Sequence, residues 1–163
     1  MEKTFSLNAP YPTLSEKQPN GFYVSLLLSL YSSSASEMTA VLQYGFQSHY
    51  FKSYSEELEK TINGIAISEM KHISLLQGAI IAFGGCPKYV SPRGIYYCTR
   101  SVDYSTDLPS MLLSDVASEK AAVKAYLNAA ELVSDEELKS LLLRIKEDEE
   151  LHIKLLENIL LKA

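Results

Sequence analysis

The stretch IAISEMKHISLL at residues 65–76 recurs as IKEDEELHIKLL at residues 145–156, and this repeat decides the fold. Each copy holds a glutamate three residues before a histidine, and apolar residues flank the pair at the spacing of one helical face. Each stretch is therefore predicted to be an amphipathic helix whose Glu and His side chains project to the same, apolar side. The two pairs are Glu69 with His72 and Glu149 with His152.

The segments before these two helices repeat as well, at an offset of 82 residues. A glutamate, an alanine, a valine and a tyrosine recur in the same register: Glu37, Ala40, Val41 and Tyr44 match Glu119, Ala122, Val123 and Tyr126. Both glutamates again share a helical face with apolar residues, whereas Glu150 shares its face with lysines and other glutamates. Each half of the chain is therefore predicted to be one helical hairpin.

Proline and glycine divide the chain into four long segments that can be helical. All six prolines lie within residues 10–19 or 87–109, and proline breaks a helix interior. Helices are predicted from Gly21 to about Phe51, from Ser53 to Phe83, from near Pro109 to Leu132, and from an N-cap at Ser134, with Glu137 completing a capping box, to Ala163. We predict an all-α four-helix bundle at residues 21–163, two antiparallel hairpins joined by a long crossover, preceded by an extended N-terminal arm at residues 1–20.

Composition and charge exclude several other classes of protein. The chain has 163 residues, a net charge of −5 and 47% hydrophobic residues, which suffices for one packed domain. Because no basic run occurs, neither nucleic acid nor a membrane surface is expected as a partner. No apolar stretch approaches the roughly 20 residues of a membrane span, and the N-terminus lacks the pattern of a secretion signal. A cytoplasmic protein with reduced Cys86 and Cys98 is expected.

Four glutamates and two histidines are thus predicted to point into the bundle core. Burying unpaired carboxylates is costly, and no inward Lys or Arg is available to neutralise four of them. Two divalent cations would balance the charge, whereas unrelated core histidines and stray salt bridges do not account for the repeat. The predicted metal ligands are Glu37, Glu69, His72, Glu119, Glu149 and His152.

Tyr44 and Tyr126 each follow a predicted ligand by seven residues, about two helical turns. We expect their hydroxyls beside the ligands, where they could hydrogen-bond the site and take part in its chemistry. The alternative is that both are amphipathic core tyrosines that only pack.

These motifs resemble the ferritin-like superfamily, which includes bacterioferritins, rubrerythrins and manganese catalases. The resemblance runs from about residue 23 to 160 and rests on both Glu-x-x-Ala-x-x-x-Tyr and both Glu-x-x-His motifs. It implies a diiron or dimanganese pair that reacts with O2 or hydrogen peroxide. It also implies the ligand roles: Glu69 and Glu149 bridge the metals, and His72, His152, Glu37 and Glu119 are terminal ligands.

Three differences from the superfamily narrow the function that the resemblance implies. Rubrerythrins have a further ligand glutamate where this chain has Ala122, and the chain has no cysteine pairs for a rubredoxin domain. The short fifth helix of bacterioferritins is not expected after Ala163, which argues against a storage cage. Met70 occupies the place of a haem-ligating methionine, but surface methionines usually only pack, and haem is not expected. Small manganese-catalase-like proteins with a Pro-rich arm match best.

The primary hypothesis is a dimetal oxidoreductase with two iron or two manganese ions per chain. It would consume hydrogen peroxide or O2 in oxidative-stress defence, as a catalase or peroxidase. The alternative is a ferroxidase or iron-binding protein of metal homeostasis, and a third hypothesis is a scaffold with an idle site. The expected partners are peroxide or O2, an external electron donor if the cycle needs one, and further copies of the chain in a homodimer or higher homo-oligomer.

Overall fold

The computed structural model describes residues 4–161, and these residues form five α-helices and one 3-10 turn. α2 packs along α3, and α4 packs along α5, while α1 packs on α3 beside α2. The predicted four-helix bundle is confirmed, with its first helix divided into two segments. The helices are α1 (Gly21–Ser32), α2 (Glu37–Tyr54), α3 (Glu56–Ala82), α4 (Leu108–Leu132) and α5 (Glu136–Leu160), and the 3-10 turn is Thr99–Ser101.

The interruption between α1 and α2 lies where the sequence predicted one continuous helix. It spans residues 33–36 of the serine-rich run SSSAS. Its hydroxyls bond to backbone carbonyls: Ser33 Oγ donates to the Ser29 carbonyl, and Ser36 Oγ donates to that of Ser33. Serine side chains compete with helical hydrogen bonds in this way, which the apolar periodicity alone did not reveal. The break places Glu37 in the first turn of α2, where the helix dipole favours a carboxylate.

Helix α5 begins with a different cap from the predicted one. The N-cap is Asp135, whose carboxylate accepts a hydrogen bond from the backbone N–H of Leu138 at 2.9 Å. The prediction of Ser134 as N-cap in a capping box is wrong because Glu137 is engaged by the arm. Its carboxylate accepts a hydrogen bond from the backbone N–H of Ser15 at 2.8 Å.

The crossover between α3 and α4 is largely irregular. It turns at Gly84, whose φ of 80° lies in the left-handed region that favours glycine. One isolated antiparallel bridge joins Val90 to Tyr96. Cys86 and Cys98, both in this segment, are exposed free thiols.

The hydrophobic core consists of two buried clusters along the bundle. The first joins α1 to the end of α3, the end of α4 and the start of α5, and the second joins α2 to the start of α3, the start of α4 and the end of α5. Along each helix, the predicted ligands lie between the residues of the two clusters. The bundle therefore holds its charged residues in a layer between two apolar regions.

Residues 4–20 contain no helix or strand and lie against the bundle. Phe5 packs on the second core cluster, and Tyr11 and Leu14 pack on the first. Residues 1–3 of the predicted arm lie outside the described residues. No helix within residues 4–161 combines the length and hydropathy that a membrane span requires.

Candidate metal centre

The six predicted ligands lie together in the middle of the bundle. Each of the four long segments contributes one glutamate, and α3 and α5 each add a histidine one turn further on. None of the six residues is more than 5% exposed. Their ligand atoms form two groups, within each of which all atoms lie within 4.8 Å of one another; Glu69 and Glu149 belong to both groups.

His72 marks the first group. Its Nδ1 lies 2.9 Å from Glu69 Oε2, 3.0 Å from Glu149 Oε1 and 3.5 Å from Glu37 Oε2. One ring nitrogen therefore faces oxygens of three different carboxylates. A single N–H could serve only one of them well.

His152 marks the second group and repeats the arrangement. Its Nδ1 lies 2.8 Å from Glu69 Oε1, 3.4 Å from Glu149 Oε2 and 3.7 Å from Glu119 Oε2. Glu69 and Glu149 thus each direct one oxygen to His72 and the other to His152. This is the geometry that two carboxylates need to bridge a pair of cations.

The hydrogen bonds of His152 test whether the site fits a metal. Its outer nitrogen Nε2 lies 2.8 Å from the backbone carbonyl oxygen of Phe5, which can only accept, so Nε2 carries a hydrogen and Nδ1 is the nitrogen left for a cation. Nδ1 has no hydrogen-bond partner despite being buried, and it presents a lone pair once its proton is lost. Glu69 Oε1, which faces this nitrogen, and Glu149 Oε1, which faces His72 Nδ1, have none either. Lone pairs converging in a buried space fit a cation between them.

The pKa values of the four glutamates are shifted by burial and by the charges around them, and the direction differs from one glutamate to another. Burial raises the pKa of Glu37 and Glu119 well above the usual value, and the charges of Glu69 and Glu149 raise it further. Burial also acts to raise the pKa of Glu69, but His152 and His72 outweigh it and the pKa lies well below the usual value. Protons and divalent cations therefore compete for the same oxygens, and metal binding should release protons.

The two predicted tyrosines bind Glu37 and Glu119 across the bundle. These two glutamates, called the outer glutamates below, each face only one of the two histidines. Tyr44 OH donates to Glu119 Oε1, and Tyr126 OH donates to Glu37 Oε1. Burial, together with the nearby carboxylates, raises the pKa of both phenols well above the usual value, so both remain protonated donors. Each tyrosine holds one carboxylate oxygen and leaves Oε2 of the same group facing a histidine.

Asp148 is a member of the site that the sequence did not predict. Its Oδ2 lies 3.2 Å from His72 Nε2, the ring nitrogen that points away from the glutamates, and its side chain is fully buried. A helical signal was available, because Asp148 lies four residues before His152 and three after Ile145 on the inward face of α5. Phe5 gave no such signal, since it contributes a backbone carbonyl from a segment without periodicity.

Comparison with known families agrees with this architecture. The family model described as a ferritin-like domain matches residues 29–163. The chain belongs to the ferritin-like family. No curated protein matches it by sequence.

Several solved structures share the ferritin-like fold of the chain. Two are crystal structures of KatB, a manganese catalase from Anabaena, at 22% and 21% identity, each with a TM-score of 0.82 and each covering 97% of this chain and 80% or 79% of the other. A third is the bacterioferritin of Desulfovibrio desulfuricans, at 26% identity, with a TM-score of 0.74, covering 85% of this chain and 78% of the other. That bacterioferritin holds a diiron site, which was solved in different catalytic states. The predicted membership of the ferritin-like superfamily is confirmed.

A cavity of about 380 Å³ connects this ferritin-like site to the surface. Its inner end is formed by the four glutamates together with Tyr44 and Tyr126, and its outer end includes the exposed Ser34 and Ala121. Small side chains from the α1–α2 interruption and from α4 form most of the wall between. Ala122 is part of this wall. A small molecule can therefore reach the site from the side of the broken helix.

Proposed function

We propose that the chain is a dimetal oxidoreductase that consumes hydrogen peroxide by catalase-type dismutation. One observation carries the proposal: the inner nitrogen of each histidine faces three carboxylates, and Glu69 and Glu149 are shared by both histidines. Two iron or two manganese ions would be held by Glu37, Glu69, His72, Glu119, Glu149 and His152. When bound, such a pair supplies a reversible two-electron oxidation and reduction.

The dismutation balances without another reactant. One peroxide molecule takes up two electrons and two protons to give two waters. The next peroxide molecule gives up two electrons and two protons and becomes O2. Electrons and protons lost in one half-reaction are used in the other, so no external donor is needed. This suits a chain whose sequence contains no rubredoxin-type cysteine pairs.

The residues of the chain would orient the ligands and admit the substrate. By donating to Oε1 of Glu119 and Glu37, Tyr44 and Tyr126 would keep Oε2 of each carboxylate directed at the site. The cavity would deliver peroxide to the glutamates, and its alanine-rich wall offers few groups that could react with an oxidant. The fold shared with a manganese catalase at a TM-score of 0.82 supports the same reaction.

The second candidate function is a ferroxidase or iron-binding protein of metal homeostasis. It is supported by the similarity to a bacterioferritin with a diiron site, at 26% identity. In that case Fe(II) would be the substrate as well as the occupant of the site. O2 or peroxide would then be consumed only while Fe(II) or another electron donor is supplied.

Oxygen evolution distinguishes the two functions. The iron-loaded and manganese-loaded proteins are mixed separately with hydrogen peroxide and no reductant, and O2 is followed with an electrode. We expect sustained release of one O2 for every two peroxide molecules from at least one loaded form. No release from either form, together with rapid Fe(II) oxidation, would favour the ferroxidase.

Assembly and cellular location stay predictions from the sequence. A homodimer or larger homo-oligomer is supported by exposed apolar side chains on the crossover, where Ile95 is 64% and Tyr96 75% exposed. A role in oxidative-stress defence follows from peroxide removal, and a cytoplasmic location is proposed with it.

A further inference from the structure

The N-terminal arm reaches the outer side of both histidines. The backbone carbonyl of Phe5 accepts a hydrogen bond from His152 Nε2 at 2.8 Å. Further along the arm, the backbone N–H of Leu7 donates to Asp148 Oδ1 at 2.8 Å, and Tyr11 OH donates to Asp148 Oδ2 at 2.6 Å. Asp148 in turn faces His72 Nε2. Residues 5–11 thus hydrogen-bond one histidine directly and the other through one carboxylate, and the Tyr11 ring packs edge-on against the His72 ring, with 6.3 Å between the ring centroids.

Arg144 fixes the course of the arm at this point. Its guanidinium donates to the backbone carbonyls of Leu7, at 2.8 Å, and Ala9, at 3.0 Å. The same guanidinium lies 2.8 Å from Asp148 Oδ1 and over the ring of Tyr11 at 4.5 Å. Arg144 is only 6% exposed, so these contacts form a buried polar layer between arm and bundle.

Helix α3 has a glycine where the ring of Phe5 packs against it. The ring of Phe5 lies so close to Gly64 that a Cβ at Gly64 would be 2.3 Å from it. Beside this contact, the hydroxyls of Ser6 and Ser68 lie 2.8 Å apart. A glycine at position 64 is therefore required for the arm to lie as it does. Gly78 on the same helix has no heavy atom within 4 Å of a Cβ built on it.

We infer that the arm completes the metal centre: docking of residues 5–11 holds the ring hydrogen of each histidine on Nε2 and leaves Nδ1 free for a cation. The inference rests on the proposed function, because it concerns the same ligands. A partner behind a histidine fixes its tautomer and orientation, and loss of such a partner commonly lowers metal affinity by about 10–100-fold. By linkage, if the docked arm strengthens metal binding, bound metal strengthens docking by the same factor.

The arm acts differently on the two histidines, and this difference makes the inference testable. His152 depends on an arm atom itself, the Phe5 carbonyl, whereas His72 depends on a carboxylate of α5 that the arm only supports. Loss of Phe5 should therefore weaken the metal beside His152. The metal beside His72 should be affected much less, because Leu7 and Tyr11 remain to hold Asp148.

The primary test compares two short deletions in the 163-residue chain. One variant lacks residues 2–6, so that Met1 precedes Leu7 and no residue stands at position 5, and a control lacks residues 2 and 3 and keeps Phe5. Manganese affinity is measured against a competing chelator, and folding is checked by circular dichroism. We expect about 10–100-fold weaker binding of one of two ions in the first variant and unchanged binding in the control. In a His152→Ala background the longer deletion should cause no further loss of manganese affinity. In a His72→Ala background it should still cause one.

Two glycine variants test the same contact without shortening the chain. Gly64→Ala should displace Phe5 and weaken binding in the same direction, while Gly78→Ala, with the same helical substitution, should not. Hydrogen exchange gives a readout independent of affinity, because the Leu7 amide bonds to Asp148. Its exchange should slow when manganese is added to the wild-type protein.

Unchanged metal affinity after deletion of residues 2–6, with Leu7 exchange insensitive to manganese, would overturn the inference. A wild-type protein that binds no pair of ions would instead overturn the proposed function. The two failures are distinguishable, since the first requires a wild-type protein that does bind two ions.

Discussion

The two halves of the bundle present matching ligands to the centre but differ in what lies behind them. His72 is backed by the buried carboxylate of Asp148, whereas His152 is backed by the neutral backbone carbonyl of Phe5. A carboxylate partner makes an imidazole more electron-donating than a carbonyl does. Two chemically equal ligand sets should therefore give two unequal metal positions, with the His72 position the more strongly donating one.

The helices that carry the outer glutamates differ as well. α4 runs unbroken past Glu119, whereas the chain is interrupted just before Glu37. At the offset of the repeat, Ser33 in the interruption corresponds to Asp115, which is fully buried in α4 and accepts a hydrogen bond from Gln43 at 2.8 Å. The broken half borders the cavity, so the asymmetry opens one side of the site. The two halves therefore carry the same ligands, but only the interrupted half provides access to the site.

The largest effect is expected from removing a ligand that the two halves of the bundle share. Glu69→Ala should abolish binding of the metal pair, because Glu69 directs one oxygen to each histidine and its loss affects both positions at once. Metals per chain are counted by elemental analysis after exhaustive dialysis.

Glu150→Ala is the matched control for that variant. Glu150 follows the other shared glutamate directly, but its side chain is 44% exposed and pairs with Lys146 on the outer face. It should keep two metals per chain. If Glu69→Ala also kept two, with unchanged affinity, the assignment of Glu69 as a shared ligand would be wrong.

The parts of the molecule that follow a helical period could be predicted from the sequence. Ligands such as Glu69 and His72 stand at fixed spacing among apolar residues, and the repeat related each to a partner. The bundle and its crossover followed from the same periodicity and from the positions of proline. That is why the fold was predicted correctly, and why the structure brings the six predicted ligands together.

The features that the sequence did not predict depend on the backbone or on competition between local bonds. The Phe5 carbonyl contact leaves no trace in side-chain pattern, since any residue carries a carbonyl. The break before Glu37 arises from serine hydroxyls that replace helical hydrogen bonds, and an apolar period cannot reveal it. Asp148 was overlooked because it lies among charged neighbours, although its register on α5 is inward.

An intermediate effect should separate the two halves. Asp148→Asn replaces the charged partner of His72 with a neutral one, so one of two metals should bind about 10–100-fold more weakly. A double-mutant cycle assigns the loss: it should disappear in a His72→Ala background and persist in a His152→Ala background. Glu147→Gln, an exposed change at the preceding residue of α5, is the control. Equal weakening of both metals would contradict the inequality of the halves.

The smallest effect should show where the halves are alike. Tyr44→Phe and Tyr126→Phe each remove one hydroxyl that donates to a buried outer glutamate, and both rings are 1% exposed. A buried carboxylate oxygen that loses its donor costs about 1–3 kcal/mol, so each variant should lower the free energy of unfolding by that amount, and by similar amounts in the two variants. Urea denaturation at constant pH measures both, with Tyr96→Phe, at a ring that is 75% exposed, as the control. A large difference between the two variants would mean that the surroundings of Glu37 and Glu119 differ between the halves, as those of His72 and His152 do.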